Sequence, residues 1–420
     1  MAPLPCRPTD IPALNLIPQI LADADRCVLC GMCLPHCPTY GLTRNEAESP
    51  RGRISLMLAV ARGQLEPTPG LHGHLDRCLG CRACEAMCPS KVAYGRLLRN
   101  AREYLYRQQH SPIADTLATP ARRTLLRGAL RLFQASGLQR ATQKLHLFGR
   151  GAAGRLVQGL PEVGAAPALP ALTPAQGPER GQVALFVGCT GDLLQRALLH
   201  DARRLLSALG YRVHIPPTQD CCGALHVQQG DGDSARRLAR QNLAAFPLEA
   251  EAIISVASGC GALLHEYDQL LEDEAAAGFA RRVIDINAFL AAAEWPDTLE
   301  LRPLAQKVAV HESCTLRNVL HAQKALYTLL RRIPQLEVVE LPHNERCCGA
   351  AGSYLIEQPE DADALRADKI AAVAELQPQL LASANIGCAM HLAAGLREAG
   401  LAVDVVHPVT LLARQVTSDK

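Results

Sequence analysis

Cys27-Val-Leu-Cys30-Gly-Met-Cys33-Leu-Pro-His-Cys37-Pro38 and Cys78-Leu-Gly-Cys81-Arg-Ala-Cys84-Glu-Ala-Met-Cys88-Pro89 share one pattern, C-x2-C-x2-C-x3-C-P. Two-residue gaps let a tight loop bring three thiolates to one face of a cube of iron and sulfide. The longer gap throws the fourth thiolate outward, and the proline stops the chain from closing back on the same cluster. Where such runs occur in pairs, the fourth cysteine of one ligates the cluster held by the other. The spacing therefore assigns Cys27, Cys30, Cys33 and Cys88 to one 4Fe-4S cluster, and Cys78, Cys81, Cys84 and Cys37 to a second. Structural zinc normally takes two C-x2-C pairs, and disulfide frameworks belong to short secreted chains. Neither accounts for two copies of so restrictive a pattern.

The 420 residues leave room for roughly two to four domains. A net charge of +2, 4% aromatic residues and a single tryptophan, Trp295, argue against a nucleic-acid partner, which needs basic surface or stacking platforms. Seventeen cysteines arranged around cluster runs imply a reducing compartment, so a cytoplasmic protein is expected. Met1 to Asp25 lacks a basic region followed by an apolar core, and no signal peptide is expected. No stretch approaches the roughly 18–20 apolar residues that span a bilayer, so any membrane association is expected to be peripheral, on the cytoplasmic face of the inner membrane.

Residues 1–25 read as a lead-in with a short helix from Leu14 to Ala24, and Cys6 as an ordinary free thiol. Between the runs lie 40 residues, Pro38 to Arg77. Ser49-Pro50 has the form of an N-cap and first helical residue, and Ile54, Leu56, Met57, Leu58 and Val60 supply apolar positions. Arg51 and Arg53 could offset cluster charge; two solvated arginines are the plainer reading. A helix from Arg96 to Gln109 closes a mostly helical domain, 1–110. Residues 116–160 hold eight lysines and arginines and no acid. Leu126, Leu130 and Phe133 give this segment an apolar face flanked by arginines, which can lie in a membrane interface or pack on its own protein. Gly149-Arg150-Gly151-Ala152-Ala153-Gly154 matches GxGxxG but follows a helical pattern rather than a strand, and reads as a chance match. Five prolines from Pro161 to Pro178 mark a linker, so 111–181 forms a basic segment plus linker.

From Gln182 the chain repeats. Val183 to Cys189, Tyr211 to Pro216, Cys221-Cys222-Gly223, Ala252 to Ser258 and Cys260 are answered by Lys307 to Cys314, Glu337 to Pro342, Cys347-Cys348-Gly349, Leu380 to Asn385 and Cys388, with helical stretches between. The cysteine offsets are 32 and 39 in the first copy and 33 and 41 in the second. Two tandem βαβαβ units, 182–300 and 301–420, are the economical reading. Each cysteine follows a strand, and open parallel sheets gather ligands at the carboxyl ends of their strands. Cys189, Cys221, Cys222 and Cys260 should therefore converge, as should Cys314, Cys347, Cys348 and Cys388. Such a quartet suits a cluster, a thiol redox centre or zinc. Buried cysteine acting as a small hydrophobe explains one residue, not two matching quartets.

A double cluster run followed by two CCG domains resembles the family of iron–sulfur subunits serving flavin-dependent 2-hydroxyacid dehydrogenases. Asp220-Cys221-Cys222-Gly223-Ala224-Leu225-His226, Arg346-Cys347-Cys348-Gly349-Ala350-Ala351-Gly352-Ser353-Tyr354 and Ser383-Ala384-Asn385-Ile386-Gly387-Cys388 are similar to the glycolate-oxidising branch. The resemblance implies an α plus α/β chain: a helical two-cluster ferredoxin domain, then two CCG domains. It implies an electron-transfer subunit with no catalytic residue of its own. FAD-binding dehydrogenase subunits would turn glycolate into glyoxylate, and a quinone or other membrane acceptor would receive the electrons. Related subunits serve lactate and glycerol-3-phosphate dehydrogenases, and a heterodisulfide reductase-like enzyme is the remaining alternative. The latter ends each CCG domain in C-x2-C, whereas this chain has Leu263 and His391 at the final position. His391 is thus a candidate fifth group for a third cluster in the second CCG domain, and the first is a candidate for a copy that keeps only its fold.

Overall fold

The computed structural model describes residues 13–106, 112–145, 151–164 and 167–417. Cys6, the end of the helix expected to reach Gln109, and Gly149-Arg150 of the GxGxxG match lie outside the described residues. The chain divides into two compact units: residues up to 109 with the segment 227–231, and the remainder.

The first unit is helical. The Ser49 hydroxyl accepts the Gly52 N–H at 3.0 Å and Pro50 opens the helix Pro50–Ala61, as the sequence indicates. A cap of this kind is worth about 1 kcal/mol. Ile54, Met57 and Val60 recur at helical spacing and are buried against Leu16, Ile20 and Ala24 of helix Ala13–Ala24 and Leu97 and Leu98 of helix Tyr94–Tyr106. Arg96 adds a two-pronged bond to the buried Asp23 carboxylate, at 2.8 and 2.6 Å.

The second unit holds two sheets. The strands are β1 (Leu172–Thr173), β2 (Gly181–Phe186), β3 (Tyr211–His214), β4 (Ala252–Ser255), β5 (Val283–Asp285), β6 (Lys307–His311), β7 (Glu337–Glu340), β8 (Leu380–Ser383) and β9 (Asp404–Val406). The first sheet runs β1-β3-β2-β4-β5, parallel except for β1; the second runs β7-β6-β8-β9, all parallel. The tandem βαβαβ reading is present in both. Each sheet adds a three-residue parallel strand, β5 or β9, too short to carry a periodic signal.

Side chains alternate across a strand. Val183 and Leu185 of β2, with Val308 and Val310 of β6, enter one core that the two sheets share. Leu199, Leu326 and Leu412, from helices Arg196–Ala208, Gln323–Leu330 and Pro408–Gln415, fill it. Ala309 and Leu381 turn to the opposite face and pack with Cys348 and Cys388. The strand ends of the two repeats also touch. Ser258 Oγ lies 2.7 Å from Ser313 Oγ and accepts the Asn385 amide at 3.0 Å, and the buried His407 Nε2–H donates to the Val256 carbonyl at 3.0 Å.

The basic segment packs on its own protein, and it does so through its arginines. On helix Pro120–Ala135, Arg123 is buried and donates to Asp220 at 2.6 Å, while Arg127 pairs with Asp192 at 2.6 Å. Leu126 is on the exposed side, Leu130 and Phe133 are half-buried, and Leu125 and Leu132 are each 75% exposed.

Candidate metal centres

Both cysteine runs fold as loops with one backbone signature. The residues on either side of the second cysteine are left-handed: Leu29 (φ 56°) and Gly31 (φ 81°) around Cys30, Gly80 (φ 62°) and Arg82 (φ 58°) around Cys81. For Leu29 and Arg82 this conformation costs roughly 1–2 kcal/mol. Strain of this kind persists where the surroundings enforce it, and it gathers at functional sites.

Two cavities result. One is lined by Cys27, Cys30, Cys33 and Cys88, with Cys84 and Arg51 also in its wall. The other is lined by Cys37, Cys78, Cys81 and Cys84, with Arg53 in its wall. Cys84 lines both cavities, whereas the fourth cysteine of each run, Cys37 or Cys88, lines only the cavity that holds the leading cysteines of the other run. Four soft sulfur donors fit a 4Fe-4S cluster far better than an oxygen-seeking cation. The first cavity has an exposed apolar rim, with Val28, Leu29 and Met32 each more than half exposed and Cys30 open to solvent. The second is deep: Cys37, Cys78, Cys81 and Cys84 are all buried.

The two arginines part company. Arg51 is half-exposed, bonded to Glu46 at 2.6 Å and to the Leu29 carbonyl at 3.2 Å. Arg53 is 1% exposed and fully engaged. Its guanidinium donates to Glu48 Oε2 at 2.5 Å, the Glu48 carbonyl at 2.6 Å, Thr39 Oγ1 at 2.9 Å and the His74 carbonyl at 2.7 Å. The solvated-arginine reading therefore fails for Arg53. Burial works against ionisation of Cys78, but the cations of Arg53 and Arg102 and the Tyr94 hydroxyl outweigh it and hold that thiol below its ordinary value. Burial, followed by the neighbouring sulfurs, pushes Cys84 well up.

In the second unit the cysteines gather at the strand ends as the repeat requires. Cys189 and Cys221 Sγ are 3.4 Å apart, and Cys314 and Cys347 Sγ are 3.9 Å apart. Gly223 and Gly349 sit at φ 90° and 88°. A Cβ on Gly349 would come within 2.6 Å of the Ala362 carbonyl, so the turn after each Cys-Cys pair admits only glycine. A buried network clamps the first pair. Asn242 donates to the Cys221 carbonyl at 3.0 Å, Tyr267 to the Cys222 carbonyl at 2.9 Å, and Asp220 accepts the Cys221 N–H at 2.8 Å. Cys260 is half-buried on helix Ser258–Leu264.

Hydrogen bonds from neighbouring thiols single out one thiolate in each quartet. Cys189 and Cys222 hold Cys221 well below its usual value, and Cys347 and Cys388 do the same for Cys348. His391 is buried with Nε2 engaged by the Ala362 carbonyl at 3.1 Å. The histidine that stands with the thiols is His311: its ligand nitrogen and the Cys348 and Cys388 sulfurs lie within 4.8 Å of one another. The sequence reading passed over it, although a polar residue closing the apolar run Val308-Ala-Val and standing three before Cys314 was the available signal.

A paired cysteine module and two matching strand-end thiol quartets define an iron–sulfur protein. A 4Fe-4S dicluster domain model matches residues 23–92, and a cysteine-rich domain model matches 183–265 and 308–393. A probable glycolate oxidase iron-sulfur subunit of Bacillus subtilis is 36% identical over 92% of both chains. The glycolate oxidase iron-sulfur subunit of Escherichia coli is 34% identical over 88% of this chain and 90% of its own. Lactate utilization protein A 1 of Bacillus mycoides is 27% identical over 55% of this chain. The chain belongs to the family of glycolate oxidase iron–sulfur subunits.

Proposed function

We propose that Cys27, Cys30, Cys33 and Cys88 hold one 4Fe-4S cluster and Cys37, Cys78, Cys81 and Cys84 a second. The chain is then the electron-transfer subunit of a complex whose FAD-binding subunits oxidise glycolate to glyoxylate. The observation that carries this reading is the pair of cysteine-lined cavities in which Cys37 and Cys88 each line the cavity of the other run. When bound, the clusters supply one-electron carriers. The protein supplies the thiolates, the buried Arg53 beside the deep site, and an exposed apolar rim at the shallow one where a partner can approach closely. Glycolate is favoured over lactate because the glycolate relatives match both modules at 34–36% identity, whereas the lactate-utilisation relative spans only 55% of the chain. The second quartet, Cys314, Cys347, Cys348 and Cys388, is read as a further cluster site on the way to the acceptor.

The anaerobically purified chain alone should show no glycolate oxidation with an artificial acceptor. Turnover should appear when its flavoprotein partner is added. Substantial activity of the single chain would overturn the subunit assignment.

The acceptor in this reading is a membrane quinone. Among the described residues no helix is long and apolar enough to cross a bilayer. Docking is instead supported by Leu125, Leu132, Leu138 and Leu145, exposed at 75, 75, 51 and 64%, with the exposed cations Arg122 and Lys144 beside them. Apolar side chains flanked by cations match an anionic lipid surface. The chain should float with phosphatidylglycerol vesicles and much less with phosphatidylcholine, and Leu125→Asp with Leu132→Asp should cut flotation several-fold. Equal flotation of the double variant would remove this face from the interface.

A further inference from the structure

The two CCG sites are built on the same plan but differ at one strand-end position. Counting three residues back from the first cysteine of each quartet gives Phe186 in the first unit and His311 in the second. Both are the last residues of their strands, β2 and β6. Both are paired in register with a serine: Phe186 with Ser255, His311 with Ser383. Strand alternation places His311 on the same face as Ala309, the face that packs with Cys348 and Cys388.

The consequences at the two positions diverge. Phe186 stacks on Phe246 with ring centroids 6.1 Å apart, and only the absent side chain of Gly188 leaves room for its ring. It offers no donor. His311 is 1% exposed, and its Nδ1 lies 3.2 Å from Ser383 Oγ. Histidines that bind metal through one nitrogen have the other fixed by a hydrogen-bond partner. With Nδ1 tied to Ser383, Nε2 is the nitrogen available beside the thiols.

We propose that His311 is a direct ligand, through Nε2, of the metal centre held by Cys314, Cys347, Cys348 and Cys388, which makes that centre a mixed thiolate–imidazole iron–sulfur site. This rests on the reading above that the second quartet holds a metal centre. Four thiolates and an imidazole exceed the four ligands of a tetrahedral zinc site, so a polynuclear iron–sulfur cluster is the matching class. The first unit, with Phe186 at that position, offers thiolates alone. Neutral imidazole in place of an anionic thiolate raises a cluster's reduction potential.

The test uses the full chain purified anaerobically, with 15N-histidine incorporated and the reduced clusters examined by pulsed electron–nuclear double resonance. A strong histidine nitrogen coupling is expected in the unaltered protein, lost in His311→Asn and kept in His391→Asn. His311→Cys should retain iron and lower the potential of this centre. Iron lost in the Cys347→Ser, Cys348→Ser double variant, with no histidine coupling in the parent, would overturn the ligand assignment and leave the metal centre standing. Iron content unchanged in that double variant would overturn both. Zinc lost in place of iron would overturn the cluster class.

Discussion

Cys30→Ser should remove about four irons per chain and abolish electron transfer from the flavoprotein partner, and Cys81→Ser should remove about four others. The more telling pair is Cys37→Ser and Cys88→Ser. Because the fourth thiol of each run lines the opposite cavity, Cys37→Ser should extinguish the spectroscopic signal that Cys81→Ser extinguishes, and Cys88→Ser the signal lost in Cys30→Ser. Iron and acid-labile sulfide analysis with low-temperature electron paramagnetic resonance would read all four. Full iron in both Cys30→Ser and Cys81→Ser would contradict the assignment. Loss of the signals in the uncrossed pairing would contradict only the exchange of ligands.

The second large effect is expected at Arg53. Arg53→Met strips its buried cation partner from a fully buried Glu48 and removes one donor each from the Thr39 hydroxyl and the Glu48 and His74 carbonyls, the Glu48 carbonyl keeping the Thr39 hydroxyl at 3.0 Å. Removing one partner of a buried pair costs about 3–5 kcal/mol. His74 and the more distant Arg77 also face Glu48, at 2.7 and 3.8 Å, and bring the expectation to the lower end of that range. Urea unfolding of the cluster-loaded chain would measure it. Adding Glu48→Gln to Arg53→Met should recover a substantial part of the loss, since the uncompensated charge is then gone. A single variant within 1 kcal/mol of the parent would show that Arg53 is dispensable to the fold.

What the sequence made legible follows from how locally each feature is encoded. Spacing within a dozen residues specified the two thiol loops. The Ser49-Pro50 cap and the six principal strands were equally plain, because each is a short-range pattern of side chains. The repeat itself showed because the two copies keep their cysteine offsets. The remainder depended on contacts between distant segments. Nothing near Arg53 announces that Glu48 will be buried with it. Nothing in the basic run 116–160 says that Asp192 and Asp220 will draw Arg123 and Arg127 inward and leave leucines outside. The choice between His311 and His391 has the same origin. His391 stands three residues after Cys388, yet helix Ile386–Glu398 turns it onto the Ala362 carbonyl, while the end of β6 delivers His311 to the thiols.

The exchange of fourth cysteines also governs how the protein is born. A nascent chain that has emerged only to residue 77 possesses the three-cysteine face of the first cavity but not Cys88, and only Cys37 of the second. On the ligand sets proposed above, neither cluster would be fully enclosed until both runs had left the ribosome. Iron delivery would then await a folded pair of loops, and a fragment cut anywhere between them would forfeit both proposed sites at once.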